Sequence, residues 1–280
     1  MILNPFSYSA PETIEEAVAL LSETGSALFT GDQAYVGRAK SGESKTESLI
    51  SLRNVPGLKS VIRYDNQLEI GSAVTFADLL HDSIVCSVPV LAEALGAVKD
   101  PHFKNHSNVG GAIHHMTPAH GPVLTAFLIL NGKLNVTGPL GDRQIWLETY
   151  LSDYLEGILT RGEIIKSISL TLQNSASGSF HFIDYLKAGK IVCGVAVLMH
   201  TDNGVISQIS MAACGCVAVP TRLKGLESAL IGMQISKENI GAALDKLSEE
   251  ELAISSSYVS NQSYLLHLLK VLITRALFKK

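Results

Sequence analysis

Apolar residues at Ile14, Ala17, Val18 and Leu21 share one helical face behind Pro11, with Glu12, Glu15 and Glu16 beside them. Proline at a first helical position and acids in the first turn both favour a helix start, so the pattern predicts a helix from Pro11 that ends at Gly25. The short apolar run Ala27 to Thr30 enters Gly31, which predicts a strand followed by a turn, and Leu49 to Leu52 predicts a strand before Asn54-Val-Pro-Gly57. From Val61 the period shortens: Val61 to Tyr64 and Leu68 to Ile70 flank Asp65-Asn-Gln67, a hairpin by composition. Helical spacing returns at Val88 to Val98 and at Pro122 to Leu130, and strands return at Lys133 to Val136 and Glu163 to Leu172.

Asn174-Ser-Ala-Ser-Gly-Ser179 is small and polar between two apolar blocks, and it marks a linker and a boundary. Beyond it, Ser179 to Lys187, Val192 to His200 and Val205 to Ala213 predict an antiparallel meander, with Asp202-Asn-Gly204 as the hairpin signal. Helical patterns at Arg222 to Leu230, Lys237 to Leu247 and Ser263 to Leu277 close the chain. Strands followed by helices predict an α+β arrangement after the linker.

Composition narrows the class. With 280 residues, 46% hydrophobic and 17% charged, the chain can bury a sizeable core in one large or two ordinary domains. A net charge of −4, a pI near 6.1 and the lack of a basic stripe argue against a nucleic-acid partner. The apolar segment Tyr264 to Phe278 is interrupted by His267, Lys270 and Arg275 and is too short to span a bilayer, so no membrane association is expected. The N-terminus lacks a basic region followed by an apolar run, which predicts a cytoplasmic protein. Cys86, Cys193, Cys214 and Cys216 fit that compartment, and the Cys-x-Cys pair reads as small core hydrophobes rather than a metal or disulfide motif.

Two glycine-bearing turns carry the candidate chemistry. One is Leu28-Phe-Thr-Gly-Asp-Gln-Ala-Tyr35; the other is Lys104-Asn-His-Ser-Asn-Val-Gly-Gly-Ala-Ile-His-His115, a polar turn before a glycine pair. Backbone without side chains can approach an anionic group closely, so both read as phosphate cradles, with the amides of Gly31 to Ala34 and of Asn108 to Gly111 as donors. His102, His106, His114, His115 and His120 cluster around the second turn. No metal site is expected from them, since adjacent His114 and His115 point to opposite sides if extended.

The order of these features resembles the FAD-binding (medium) subunit of molybdenum hydroxylases of the xanthine dehydrogenase and carbon monoxide dehydrogenase type. Phe6 to Ala17 is similar to the family's opening Phe-x-Tyr and helix, and Thr30-Gly-Asp-Gln-Ala34 to its Ala-Gly-Gly first cradle. Leu49-Ile-Ser-Leu-Arg-Asn-Val-Pro-Gly-Leu58, Ile70-Gly-Ser-Ala-Val-Thr75 and Lys104 to Ala112 match later blocks in the same order. Gly162-Glu-Ile-Ile165 resembles the strand that ends the FAD domain, Tyr185-Leu-Lys187 falls where the family has a lysine near the flavin, and Ala213 to Arg222 resembles its Pro-x-Arg block.

The resemblance implies an α+β fold: a two-subdomain FAD-binding domain of the PCMH type over residues 1–173, split near residue 58, then a C-terminal α+β domain over 179–280 like that of carbon monoxide dehydrogenase flavoproteins. It implies FAD held by Thr30, Gly31, Asp32, Gln33, Ala34 and Tyr35, by Asn105, Asn108, Val109, Gly110 and Gly111, and by Ile165 and Lys187. The chain would take electrons from an iron–sulfur subunit, pass them to NAD or another acceptor, and serve a molybdopterin-containing large subunit acting on xanthine or another purine. Asp32, Ser107, Asn108, Gly121 and the segment Ala188-Gly-Lys190 depart from the family pattern. They define an alternative, a scaffold subunit with weakened flavin binding.

Overall fold

The computed structural model describes residues 6–29, 46–153, 157–173, 176–185, 190–248, 254 and 261–278. Its packing forms two compact units that are not contiguous in the chain. The first comprises Met1–Asp82, Asp100–Thr117 and Lys133–Leu170; the second comprises Ser83–Lys99, Pro118–Gly132 and Thr171–Lys280. This division differs from a single boundary after residue 173, because two internal helical segments pack with the C-terminal strands.

In the first unit, β1 (Ser7–Ser9), β2 (Ser26–Phe29) and β3 (Ser48–Ser51) form a parallel sheet of order β1-β3-β2. The helix Ile14–Leu21 starts later than Pro11 because Thr13 caps it, its side chain accepting the Glu16 amide at 3.2 Å. Ala17 of this helix, Ile50 and Leu52 of the β3 region, Val55, Leu58, Ala73 and Ile164 form one apolar cluster. Such parallel strands are buried, which is why Leu49 and Ile50 are both inaccessible.

A five-stranded sheet follows: β4 (Val61–Tyr64), β5 (Gln67–Gly71), β6 (Lys133–Gly138), β7 (Gly141–Trp146) and β8 (Ile164–Thr171), in the order β4-β5-β8-β6-β7. The hairpin expected at Asp65 is present, with Tyr64 paired to Gln67 and Asp65 in the left-handed region at φ 50°. The hydrophobic pattern does not mark strand β7, because its positions are mostly exposed and polar.

In the second unit, β9 (Ser177–Tyr185), β10 (Lys190–Asp202), β11 (Val205–Cys214) and β12 (Thr221–Arg222) form an antiparallel sheet in the order β12-β11-β10-β9. Asn203 and Gly204 have φ of 51° and 82°, as a two-residue hairpin turn requires. Strand β9 already begins at Ser177, inside the segment that reads as a linker, because Gly178 and Ser179 pair with Leu198 and Val197. Likewise Thr221 and Arg222 join the sheet, so the following helix is Lys224–Leu230 rather than starting at Arg222. The helices Pro89–Ala97 and Gly121–Ile129 contact this sheet, as does the helix Gln262–Phe278. All nine residues of Gly121–Ile129 are buried. The expected α+β class holds, and among the described residues no helix is long and apolar enough to cross a membrane.

Candidate functional site

The segment that reads as a single polar turn folds as two short helices, Pro101–His106 and Val109–His115, separated by Ser107 and Asn108. The turn reading fails because glycine's weak helix propensity is overridden locally: Asn108 Oδ1 accepts the Gly111 amide at 2.8 Å, a cap that starts the second helix. Gly110 and Gly111 are therefore its second and third residues.

What fixes this helix is the strand end opposite it. The Val109 amide donates to the Val74 carbonyl (3.1 Å), the Gly110 amide to the Ser72 carbonyl (2.8 Å) and the Phe76 amide to the Ser107 carbonyl (2.9 Å). A Cβ on Gly110 would lie 2.9 Å from Ser72 Cβ, so glycine permits this approach. Gly71 has the same function on the other side of the strand. Its own missing Cβ would collide with the Leu58 carbonyl oxygen, while its amide donates to the Ser60 carbonyl and that of Ala73 to the Leu58 carbonyl, each at 2.8 Å. Ile70 to Thr75 is thus a brace between the 58–60 turn and the glycine pair.

The amides of Val109, Gly110 and Gly111 are each engaged within the fold, so they are not spare donors for a phosphate. Asn108 is buried, and Asn105 sits exposed on the preceding helix. Ile165 is buried on β8, opposite Val136 and next to Lys166, whose carbonyl accepts the Ser72 amide at 2.9 Å. The structure therefore brings Asn108, Val109, Gly110, Gly111 and Ile165 around Ser72. Thr30, Gly31, Asp32, Gln33, Ala34, Tyr35 and Lys187 lie outside the described residues.

Sequence reasoning passes over Ser72 itself, although it marks the Ile-Gly-Ser block that contains it. The Ser72 hydroxyl is buried without a hydrogen-bond partner. An unmade bond there costs about 1–3 kcal/mol, which a polar ligand or ligand-ordered group beside the glycine pair would recover. The residues present thus fit a bound anionic cofactor.

The histidines behave differently from one another. His114 and His115 end a helix rather than lying in extended chain, and their ring centroids are 4.9 Å apart, edge to face; the extended geometry is corrected accordingly. His102 and His106 stack at 4.4 Å on the preceding helix. Among the described residues no three metal-binding side chains converge. His120, in the second unit, is fully buried, and burial lowers its pKa to about 4. At Gly121, which departs from the family pattern, a Cβ would lie 3.2 Å from Cys214 Cβ, so this packing leaves little room for a side chain.

Comparison with known proteins gives the same picture. Residues 4–171 match the FAD binding domain in molybdopterin dehydrogenase, and residues 190–279 match the CO dehydrogenase flavoprotein C-terminal domain. The carbon monoxide dehydrogenase medium chain of Hydrogenophaga pseudoflava is 28% identical over 250 residues, 88% of this chain and 86% of that one. The nicotine 6-hydroxylase medium subunit of Paenarthrobacter nicotinovorans is 28% identical over 265 residues, 93% of this chain and 90% of that one. In structure, the reconstituted CO dehydrogenase from Oligotropha carboxidovorans superposes with a TM-score of 0.90 at 20% identity, covering 98% of this chain and 97% of its counterpart. The chain belongs to the family of FAD-binding domains of molybdopterin dehydrogenases, as an oxidoreductase subunit of the molybdenum hydroxylase type whose cofactor is FAD.

Proposed function

We propose that the chain works in a complex with an iron–sulfur subunit and a molybdopterin-containing large subunit, receiving electrons from the former and delivering them to NAD or another acceptor. The match of residues 4–171 to an FAD-binding domain of molybdopterin dehydrogenases carries this reading. FAD supplies the exchange of electrons between one-electron and two-electron partners. This chain's residues bind and orient it. With the amides of 109–111 engaged, direct donation to the pyrophosphate falls to the Thr30–Tyr35 segment, and Gly110 and Gly111 offer a side-chain-free wall held in place by Asn108. By the family resemblance, Lys187 would supply a cation to the flavin and favour its reduced form. The two relatives above are named for different substrates, carbon monoxide and nicotine. Substrate choice, xanthine or another purine included, therefore belongs to the large subunit.

Titration of the purified chain with FAD, followed by visible absorption and flavin fluorescence, tests this. Saturable binding is expected. Asn108→Ala removes the cap on Gly111 and is expected to weaken FAD about tenfold, with Asn108→Ser restoring most of it. A colourless chain that takes up no FAD at micromolar concentration would overturn the reading and leave the scaffold alternative.

A further inference from the structure

The second unit buries three thiols, and their surroundings separate one from the other two. Cys214 lies against Gly121 and Gly194, where an added Cβ would come within 3.5 and 3.0 Å of its sulfur, and burial pushes its pKa up to about 12. Cys193 and Cys216 instead belong to the apolar cluster that also contains Leu265, Leu269 and Leu272 of the helix Gln262–Phe278. Their sulfurs are 3.3 Å apart, and both side chains are fully buried.

We propose that Cys193 and Cys216 are an oxidation site that a hydroperoxide closes to a disulfide, linking β10 to the segment after β11. A disulfide needs about 2.05 Å between sulfurs, so the pair must close by only about 1.3 Å. Gly215 makes the juxtaposition possible. At φ +79° it turns the chain back towards β10, and a Cβ there would lie 3.0 Å from the Ile191 and Val192 carbonyl oxygens. Between Ile191 and Cys193 the β9 pairing also shifts register, a local irregularity at the same place.

The two thiols share one hydrogen bond. Cys193 donates its S–H to Cys216 Sγ, which lowers the Cys216 pKa against the opposing effect of burial and raises that of Cys193. Either sulfur can make the attack, Cys216 for instance. Its thiolate forms an S–O bond to the terminal oxygen of the hydroperoxide, the O–O bond breaks, and the departing alkoxide takes up the proton the thiol released. Cys193 then attacks the sulfenic sulfur. The S–S bond forms, the S–O bond breaks, and hydroxide leaves with the Cys193 proton as water. Two thiols lose two electrons and two protons; the hydroperoxide gains both and becomes an alcohol and water, or two waters for hydrogen peroxide.

The experiment exposes the full folded chain to hydrogen peroxide, quenches with an alkylating agent in denaturant, and maps peptides without reductant. Two of the four thiols are expected to disappear into a peptide joining Cys193 to Cys216, reversed by dithiothreitol, while Cys214 stays alkylatable. Cys214→Ser should keep the link, and either Cys193→Ser or Cys216→Ser should abolish it; the linked form should melt several degrees higher. The proposal fails if exposed Cys86 oxidises with no such linked peptide forming, if Cys214 is a partner, or if the link arises only after unfolding.

Discussion

The five-stranded sheet of the first unit and the four-stranded sheet of the second solve different problems. On the first, a polar ladder crosses four strands: Gln144 Nε2 donates to Asn135 Oδ1 (2.8 Å), Asn135 Nδ2 to the hydroxyls of Ser167 (2.8 Å) and Ser169 (2.9 Å), and Ser167 to Glu69 Oε1 (2.6 Å). The ladder lines a cavity of about 550 Å³ shared with Ile14, Leu58 and Lys166. On the second, every residue from Ile191 to Met199 is buried, because helices cover the sheet and even its alternate positions are denied to water. One sheet keeps a face for polar contact. The other holds a polar pair at its buried edge, Arg222 and Glu227, which satisfy each other.

That pair offers the hardest test of the contrast. Arg222 Nε and Nη2 each donate to a Glu227 carboxylate oxygen at 2.8 Å, Nη1 reaches the Leu128 carbonyl, and the Met211 amide donates to Glu227 at 2.7 Å. Arg222→Met leaves a buried carboxylate without its cation and is expected to cost about 3–5 kcal/mol in urea unfolding, partly relieved by adding Glu227→Gln. A loss below about 1 kcal/mol would mean that the second sheet is less sealed than its burial indicates.

His120 gives the next largest effect, in the same unit. Its folded pKa of about 4 lies below the unfolded value of 6.5, so as pH falls from 6.5 the unfolded chain binds a proton first. Stability should fall between pH 6.5 and 4, by about 3 kcal/mol in all, and be unaffected by this group above that window. His120→Gln should flatten that slope in unfolding midpoints measured against pH; an unchanged slope would assign the acid sensitivity elsewhere.

The smallest effect belongs to the open sheet. Asn135→Ala breaks the centre of the ladder where the cavity admits water to the freed hydroxyls, and about 1 kcal/mol is expected from the same unfolding measurement. A loss as large as that of Arg222→Met would erase the distinction between the two sheets.

Much of this architecture is legible in the chain because its signals are local. Asp202-Asn-Gly204 specifies its hairpin through residues that accept positive φ, and Leu265, Leu269, Leu272 and Ile273 mark the buried stripe of the last helix. The glycine pair is legible as a site but not as a shape. Gly110 is helical because Asn108 caps the turn and the Ser72 carbonyl receives its amide, and the second of these partners is 38 residues away in sequence. Distance hides the brace as well: Gly71 looks like a family residue in the sequence, yet its reason is the Leu58 backbone. The helix Phe76–His81 escapes the pattern despite a reciprocal Thr75–Asp78 capping box, since it is only six residues long and shows less than two turns of apolar spacing.

The interleaving of the two units also orders the chain's folding. The backbone passes between them after Asp82, Lys99, Thr117, Gly132 and Leu170. Helices Pro89–Ala97 and Gly121–Ile129 are synthesised well before β9, β10 and β11, the strands they contact. During that interval a wholly buried helix such as Gly121–Ile129 has no native surface to cover it, so the nascent chain carries an exposed apolar segment until the C-terminal meander is made. The first unit can therefore settle before the second, whose early helices must wait for strands made much later in the chain.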